Sequence, residues 1–334
     1  MRVFVYEHIT GGGLAGQAIP ASLAHEGDIM LRALVTDLVD AGVEVVTTRD
    51  ERLPAIDLPA DVASICDLQQ KDEVLQLCMM ESDAVWPIAP EACGVLERIS
   101  EQIQSNGGVL LNSRPPAVRI ASSKLNTTSR LAEHGVPVVP TFDANQYISA
   151  RYSRWVLKPD DGAGCVETHI VYSSEELPST LAELDQAVQY VAQPYVVGPA
   201  VSLSMLCSNG QALLLACNRQ QVAVINEAFC LLGCVVNDPS AWGEYAAPLA
   251  ADIAAAMPGL WGYVGVDLLL TDDGPLVLEV NPRLTLSYVG LTNSLGMNAA
   301  ELVLGLLDDK QWPVAEVAAG RMPVTVNLEV HYVP

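Results

Sequence analysis

Leu276-Val277-Leu278-Glu279-Val280-Asn281-Pro282-Arg283 reads as an apolar strand that ends in a carboxylate, a carboxamide and a guanidinium. Those three groups suit a divalent cation and phosphate. Upstream, Tyr263-Val264-Gly265-Val266-Asp267-Leu268-Leu269-Leu270 is a second apolar run carrying one acid, and Thr271-Asp272-Asp273-Gly274 between the two is a turn signal. The pair is expected to form a β-hairpin. Side chains alternate across a sheet, so Glu279 and Asn281 share a face and the neighbouring strand can set Asp267 beside them. Three oxygen donors then converge where Mg²⁺, or Mn²⁺ in its place, could be held together with nucleotide phosphates, with Arg283 near a transferring phosphoryl group. The alternative is a hairpin whose acids are merely solvated.

Three further segments bear on that choice. Trp155-Val156-Leu157-Lys158-Pro159-Asp160-Asp161-Gly162-Ala163-Gly164-Cys165 joins a short strand ending in Lys to a glycine-containing loop whose backbone N–H groups could approach phosphate. A plain turn beside a Lys is the other reading. Tyr190-Val191-Ala192-Gln193-Pro194-Tyr195-Val196-Val197-Gly198 is an apolar strand with a Pro that belongs at an edge or a strand end, where free backbone groups could read an adenine ring. Ala121-Ser122-Ser123-Lys124-Leu125-Asn126-Thr127-Thr128 has the look of a helix N-terminus, and an exposed helical Lys is the ordinary explanation of Lys124.

The first third is organised differently. Arg2 to Glu7 is an apolar strand feeding Thr10-Gly11-Gly12-Gly13, residues 22 to 41 form an amphipathic helix, and Val43 to Val46 a strand. Asp83 to Ile88 leads through Ala89-Pro90-Glu91 into a helix reaching Gln104, followed by a short strand over Gly108 to Asn112. Alternating strands and helices imply a parallel α/β sheet with ligands at the carboxyl ends of its strands, which places Glu7, Gly11 to Gly13 and Glu91 at one edge. The triple glycine is either a loop that closes over a small substrate or a flexible turn. Glu91 is either an ammonium partner or an acid favoured at a helix N-terminus.

Composition removes several function classes. A chain of 334 residues with a net charge of −23 lacks the clustered cations of a nucleic-acid surface. Its eight Cys show no Cys-x-x-Cys pair, so free thiols in a reducing, cytoplasmic setting are expected and zinc chemistry is not. No run approaches the roughly 18 apolar residues that span a bilayer. Neither a membrane nor a nucleic acid is expected as a partner, and a homodimer is an open option.

In order and spacing these segments resemble the ATP-grasp superfamily from about Pro116 to Leu307. The resemblance implies an N-terminal α/β domain over 1–115, a central subdomain with a glycine-rich lid over 116–197 and a C-terminal metal-binding subdomain over 198–334. It places ATP on Lys124 and Lys158, under the lid Asp161-Gly162-Ala163-Gly164-Cys165 and against the hinge Gln193-Pro194-Tyr195-Val196. It makes Asp267, Glu279 and Asn281 the Mg²⁺ ligands, with Arg283 and Lys158 acting on the phosphoryl group. Two departures stand out: Gly198-Pro199-Ala200-Val201-Ser202 replaces a usual Gly-x-Glu-x-Ser, which leaves Ser202 without the ribose-contacting Glu, and Cys165 stands where the lid usually has glycine.

Val3 to Gly13, Ile88 to Glu91 and Glu279 to Tyr288 together look like the branch containing tyramine–glutamate ligase of methanofuran-type cofactor biosynthesis. By that resemblance the substrates are a carboxylate, the γ-carboxylate of glutamate, and an amine such as tyramine or tyrosine. They would be joined through an acyl-phosphate. Arg219, placed after a strand Ala212 to Ala216, and Ser287 with Tyr288 are candidate substrate contacts, with packing an equal alternative. Two other readings remain open: an ATP-binding regulatory protein without turnover, and a carboxylate kinase.

Overall fold

In the first third of the chain, Leu31, Leu34, Val35 and Leu38 recur at helical spacing, and all four are fully buried against Val3, Val5 and Val45. The computed structural model describes residues 1–146, 152–162, 167–225, 228–308 and 321–328. These four leucines and valines belong to helix α1, Ala21–Asp40. It packs on a five-stranded parallel sheet of β1 Arg2–Glu7, β2 Glu44–Asp50, β3 Asp61–Ile65, β4 Ala84–Ile88 and β5 Val109–Leu110, in the order β3-β2-β1-β4-β5. The parallel α/β expectation holds. Strand β3 and helix α2, Leu68–Met80, were not legible, because this edge pair leaves most of its residues exposed and carries little apolar periodicity. Asp67 starts α2 by accepting hydrogen bonds from the Gln69 and Gln70 amides. Helix α3 runs from Val95 to Ser105.

Two antiparallel sheets follow. The smaller contains β6 Phe142–Asp143, β7 Trp155–Pro159, β8 His169–Val171 and β9 Tyr190–Pro194, in the order β6-β9-β7-β8, over a core of Trp155, Leu157, Val171 and Ala192. Pro194 closes its strand, where it removes no ladder bond. The larger contains β10 Ala200–Ser208, β11 Gln211–Ile225, β12 Ala228–Val236, β13 Gly262–Thr271, β14 Gly274–Asn281 and β15 Val324–Asn327, in the order β14-β13-β10-β11-β12-β15. Strands β13 and β14 form the expected hairpin around Asp272-Asp273, with Thr271 opposite Gly274. Arg219 lies inside the long β11 rather than after a strand.

Helix α1 also packs on the other end of the chain. Its buried side joins one apolar cluster with Leu206, Tyr263, Leu286 and Tyr288, and Asp37 accepts hydrogen bonds from the Tyr288 hydroxyl at 2.9 Å and the Thr292 hydroxyl at 2.7 Å. Tyr288 is thereby spent on packing. Among the described residues no helix is long and apolar enough to cross a membrane, and Cys66, Cys78, Cys93, Cys207, Cys217, Cys230 and Cys234 are all free thiols.

Candidate active site

A cavity of about 570 Å³ opens between the two antiparallel sheets and below α1. Strands β7 and β9 give it Val156, Lys158, Gln193 and Pro194, and Tyr195 and Val196 continue that wall. The larger sheet supplies Ser202, Arg219, Gln220, Asp267, Glu279 and Asn281, with Arg283 and Ser287 just beyond β14. Lys124, Gly162 and Glu26 complete the rim.

Register brings the acids together. Asp267 stands directly opposite Glu279, and Gly265 opposite Asn281, so all three polar side chains meet on one face of the hairpin. Asp267 accepts hydrogen bonds from the Gln220 amide at 2.8 Å and from the Asn281 amide at 3.2 Å. Burial first, then the charge of Glu279, pushes the Asp267 carboxyl well above the usual carboxylate range. Burial would also raise Glu279, but the charges of Lys124 and Lys158, with a hydrogen bond from Asp267 and the charge of Arg283, together hold that carboxyl below its ordinary value. Two carboxylates facing one another in a cavity, with the Asn281 carboxamide beside them, are hard oxygen donors that fit a Mg²⁺-sized cation. Among the described residues no group of three or more His, Cys, Asp or Glu could hold a metal. A cation here would draw its ligands beyond Asp267, Glu279 and Asn281 from phosphate and water.

Lys124 is not the exposed helical Lys that its position suggested. It begins helix α5, Lys124–Glu133, whose first turn is capped by the Ser123 hydroxyl accepting from the Asn126 amide at 3.0 Å. The residue is only 6% exposed, and its Nζ donates to the Gly162 and Asp160 carbonyls and lies 3.8 Å from Glu279. One buried cation thus ties the base of the glycine loop to the paired acids. Asp161 accepts a hydrogen bond from the Cys93 amide at 3.0 Å, fastening the same segment to the short 3-10 turn that follows β4. Ala163, Gly164 and Cys165 lie outside the described residues.

On the hinge side, Gln193 is buried and donates to the Thr141 hydroxyl at 2.8 Å. Tyr195 is stacked with Phe229 on one side, while the Arg154 guanidinium lies 4.4 Å from its ring centroid. Ser202 accepts from the Asn218 amide at 3.2 Å. Ser287 lies in a buried hydroxyl cluster with Ser204, Tyr263 and Thr285 at 2.9 to 3.2 Å.

The expected substrate edge is not brought to this cavity. Glu7 is 2% exposed and turned into its own loop, accepting from the Thr10 amide at 2.6 Å, the Thr10 hydroxyl at 2.7 Å and the Ile9 amide at 3.2 Å. Gly11, Gly12 and Gly13 form neither a closing loop nor a loose turn. A Cβ would lie 2.4 Å from the Glu7 carbonyl oxygen at Gly11, 2.7 Å from Ile65 at Gly12 and 2.2 Å from the His8 ring at Gly13. Close packing is what demands these glycines. Glu91 stands at the N-cap position of a short 3-10 turn but makes no side-chain capping bond, and it is not an open ammonium partner, because its carboxylate grips Arg283 through contacts of 3.0 Å. Glu26 and Gln220 line the site without having been singled out from sequence. Their place in it depends on which helix face and which strand lie over the hairpin, and no local pattern encodes that.

Comparison with known proteins gives this geometry its context. The ATP-grasp domain family model matches residues 121–287, half of the chain. The chain belongs to the ATP-grasp family. The pre ATP-grasp 3 domain model matches residues 43–118. The tyramine–L-glutamate ligase of Methanocaldococcus jannaschii is 24% identical over 217 residues, which are 65% of this chain and 60% of that protein. Among solved structures, an ATP-grasp superfamily protein from Archaeoglobus fulgidus superposes with a TM-score of 0.71 at 23% identity, covering 91% of this chain and 88% of the other. An L-amino acid ligase from Bacillus licheniformis gives a TM-score of 0.66 at 17% identity, over 91% of this chain and 73% of the other. ATP-grasp enzymes are ATP-dependent carboxylate–amine ligases that use ATP and Mg²⁺.

Proposed function

We propose that this chain joins a carboxylate to an amine at the expense of ATP, with the γ-carboxylate of glutamate and an aromatic amine of the tyramine class as substrates. The observation that carries the reading is the meeting of Asp267 and Glu279 with Lys124, Lys158 and Arg283 around one cavity. Tyramine and glutamate enter from the distant relative's name and from the resemblance of Glu279 to Tyr288.

In this reaction a carboxylate oxygen attacks the γ-phosphorus of ATP and ADP leaves. The resulting acyl-phosphate is attacked at its carbonyl carbon by the amine, which loses a proton as phosphate departs. The first step brings anions together, so its barrier is lowered by positive charge fixed in place beforehand. Lys124 and Lys158 would hold the nucleotide phosphates, and Gln193 to Val196 the base. Arg283 would contact the phosphoryl oxygens. Asp267, Glu279 and Asn281 would hold Mg²⁺, which when bound neutralises phosphate charge. The lid that the sequence assigns to residues 161–165 would keep water from the acyl-phosphate.

Incubation with ATP, Mg²⁺, glutamate and a panel of amines tests this. ADP and a new amide mass appearing together support ligation. ADP with an acyl-phosphate trapped by hydroxylamine but no amide would mean a carboxylate kinase, and no ADP with any pair would leave a nucleotide-binding protein without turnover.

A further inference from the structure

Helix α1 contributes one side chain to the cavity, Glu26. The next residue, Gly27, lies against Glu7, where a Cβ would come within 2.7 Å of the carboxyl carbon. This contact seats the helix on the end of β1 and fixes which face it turns toward the cavity. Among the described residues Glu26 has no hydrogen bond and no ion pair, although Arg283 is near enough for its charge to be felt. Arg283 itself is engaged by Glu91.

The charges of the proposed reaction make an unpartnered carboxylate here a problem to be solved. ATP, the donor carboxylate and the acyl-phosphate are anions, and all would be repelled by it. The cationic atoms the reaction brings, apart from the metal, are ammonium groups: the α-ammonium of an amino-acid donor and the acceptor amine before it loses its proton. A carboxylate drawn back from water gains most from such a partner. Burial pushes the Glu26 carboxyl up, against the pull of Arg283 and His25, so the group gains stability as an anion once a cation arrives.

We infer that Glu26 is the ammonium-binding residue of the substrate site, receiving a primary ammonium group in the cavity that it lines together with Arg283. This rests on the ligase reading and adds to it the feature that selects amino-bearing substrates. Sequence position hides it, since an acid on an amphipathic helix ordinarily faces solvent.

Calorimetry on the full chain, saturated with Mg²⁺ and a non-hydrolysable ATP analogue, tests the assignment without requiring turnover. The probes are glutamate and tyramine, each paired with its ammonium-free counterpart, glutarate and 4-ethylphenol. Glu26→Gln should bind at least one ammonium-bearing probe ~10- to 100-fold more weakly than the unaltered protein, the loss expected for one charge-assisted hydrogen bond. The matching ammonium-free probe should bind both proteins alike. A loss confined to glutamate assigns the donor's α-ammonium, and a loss confined to tyramine assigns the acceptor amine. Glu26→Asp, which withdraws the carboxylate by one methylene, should fall between the two. Equal binding of both ammonium probes by the altered and unaltered proteins overturns the inference, as does equal loss within a probe pair, or failure of the unaltered protein to bind either ammonium probe. Failure of the ligase reading is seen separately, as absence of ADP and amide in the turnover assay.

Discussion

Glu91 and Arg283, separated by 192 positions in the chain, are locked together, with both carboxylate oxygens 3.0 Å from the Arg283 Nε and one of them 3.0 Å from an Nη. The connection after β4 therefore orients a guanidinium that stands just beyond the β13–β14 hairpin. Among the described residues the other hydrogen bond of Arg283 is a donation to the Leu284 carbonyl at 3.2 Å. A long, flexible side chain is held in one posture before any substrate arrives, which is what electrostatic preorganisation requires.

Glu91→Gln should accordingly lower kcat by ~10- to 100-fold while leaving the ATP dissociation constant and the Michaelis constant for amine nearly unchanged. Glu91→Ala, which strands a largely buried guanidinium, should in addition lose about 3–5 kcal/mol of stability in denaturant titration. A raised Michaelis constant for amine with an unaltered kcat would instead make Glu91 a direct substrate contact.

For the paired acids, Asp267→Asn and Glu279→Gln should each lower turnover by a factor of ~10² or more. Removing one of two facing carboxylates relieves repulsion, so metal-free Asp267→Asn should melt no lower than the unaltered protein. What it should lose is the rise in melting temperature on adding Mg²⁺ with nucleotide. A full Mg²⁺-dependent rise in both variants would show that the cation binds elsewhere.

Lys124→Ala and Lys158→Ala should each weaken ATP binding by roughly 1–3 kcal/mol, measured by calorimetry. The two should differ in stability. Lys124 also holds the Asp160 and Gly162 carbonyls, so its removal should lower the melting temperature of the nucleotide-free protein. Unchanged ATP affinity in both variants would separate these lysines from phosphate.

Glu7 offers a pH-dependent test of the N-terminal sheet. Burial pushes its carboxyl up to about 7 in spite of the donors from Thr10 and Ile9. An acid with a raised folded-state pKa binds more protons folded than unfolded between its ordinary value and the raised one. Stability from this group is thus present at low pH and lost as pH rises from the ordinary carboxylate range toward about 7. Glu7→Gln should flatten that decline in a series of melting curves from acid to mildly alkaline pH. Gly27→Ala, which drives a methyl into the same carboxyl, should cost about 1–3 kcal/mol at any pH.

The hairpin was legible from sequence because its logic is local. A short polar turn sets the register, and a two-residue period sets the face, so Asp267, Glu279 and Asn281 could be placed together from spacing alone. Strand and helix alternation in the first third was legible for the same reason, as α1 shows at Leu31, Leu34, Val35 and Leu38. Strand β3 and helix α2 were not, since edge elements bury too little to need a pattern.

What only tertiary structure decided is which polar groups face one another across distance. Nothing near Lys124 in the chain announces that it is buried under Gly162 and beside Glu279, and nothing near Glu91 announces Arg283. Glu7 and the three glycines had the right position at strand ends, but the packing of Thr10, Ile65 and His8 turned them into a closed structural turn. Glu26 and Gln220 entered the cavity because α1 and β11 were laid over the hairpin. Local periodicity specifies a residue's face on its own element, whereas the partner of a buried charge is specified by the docking of separate elements, which sums many weak apolar contacts spread along the whole chain.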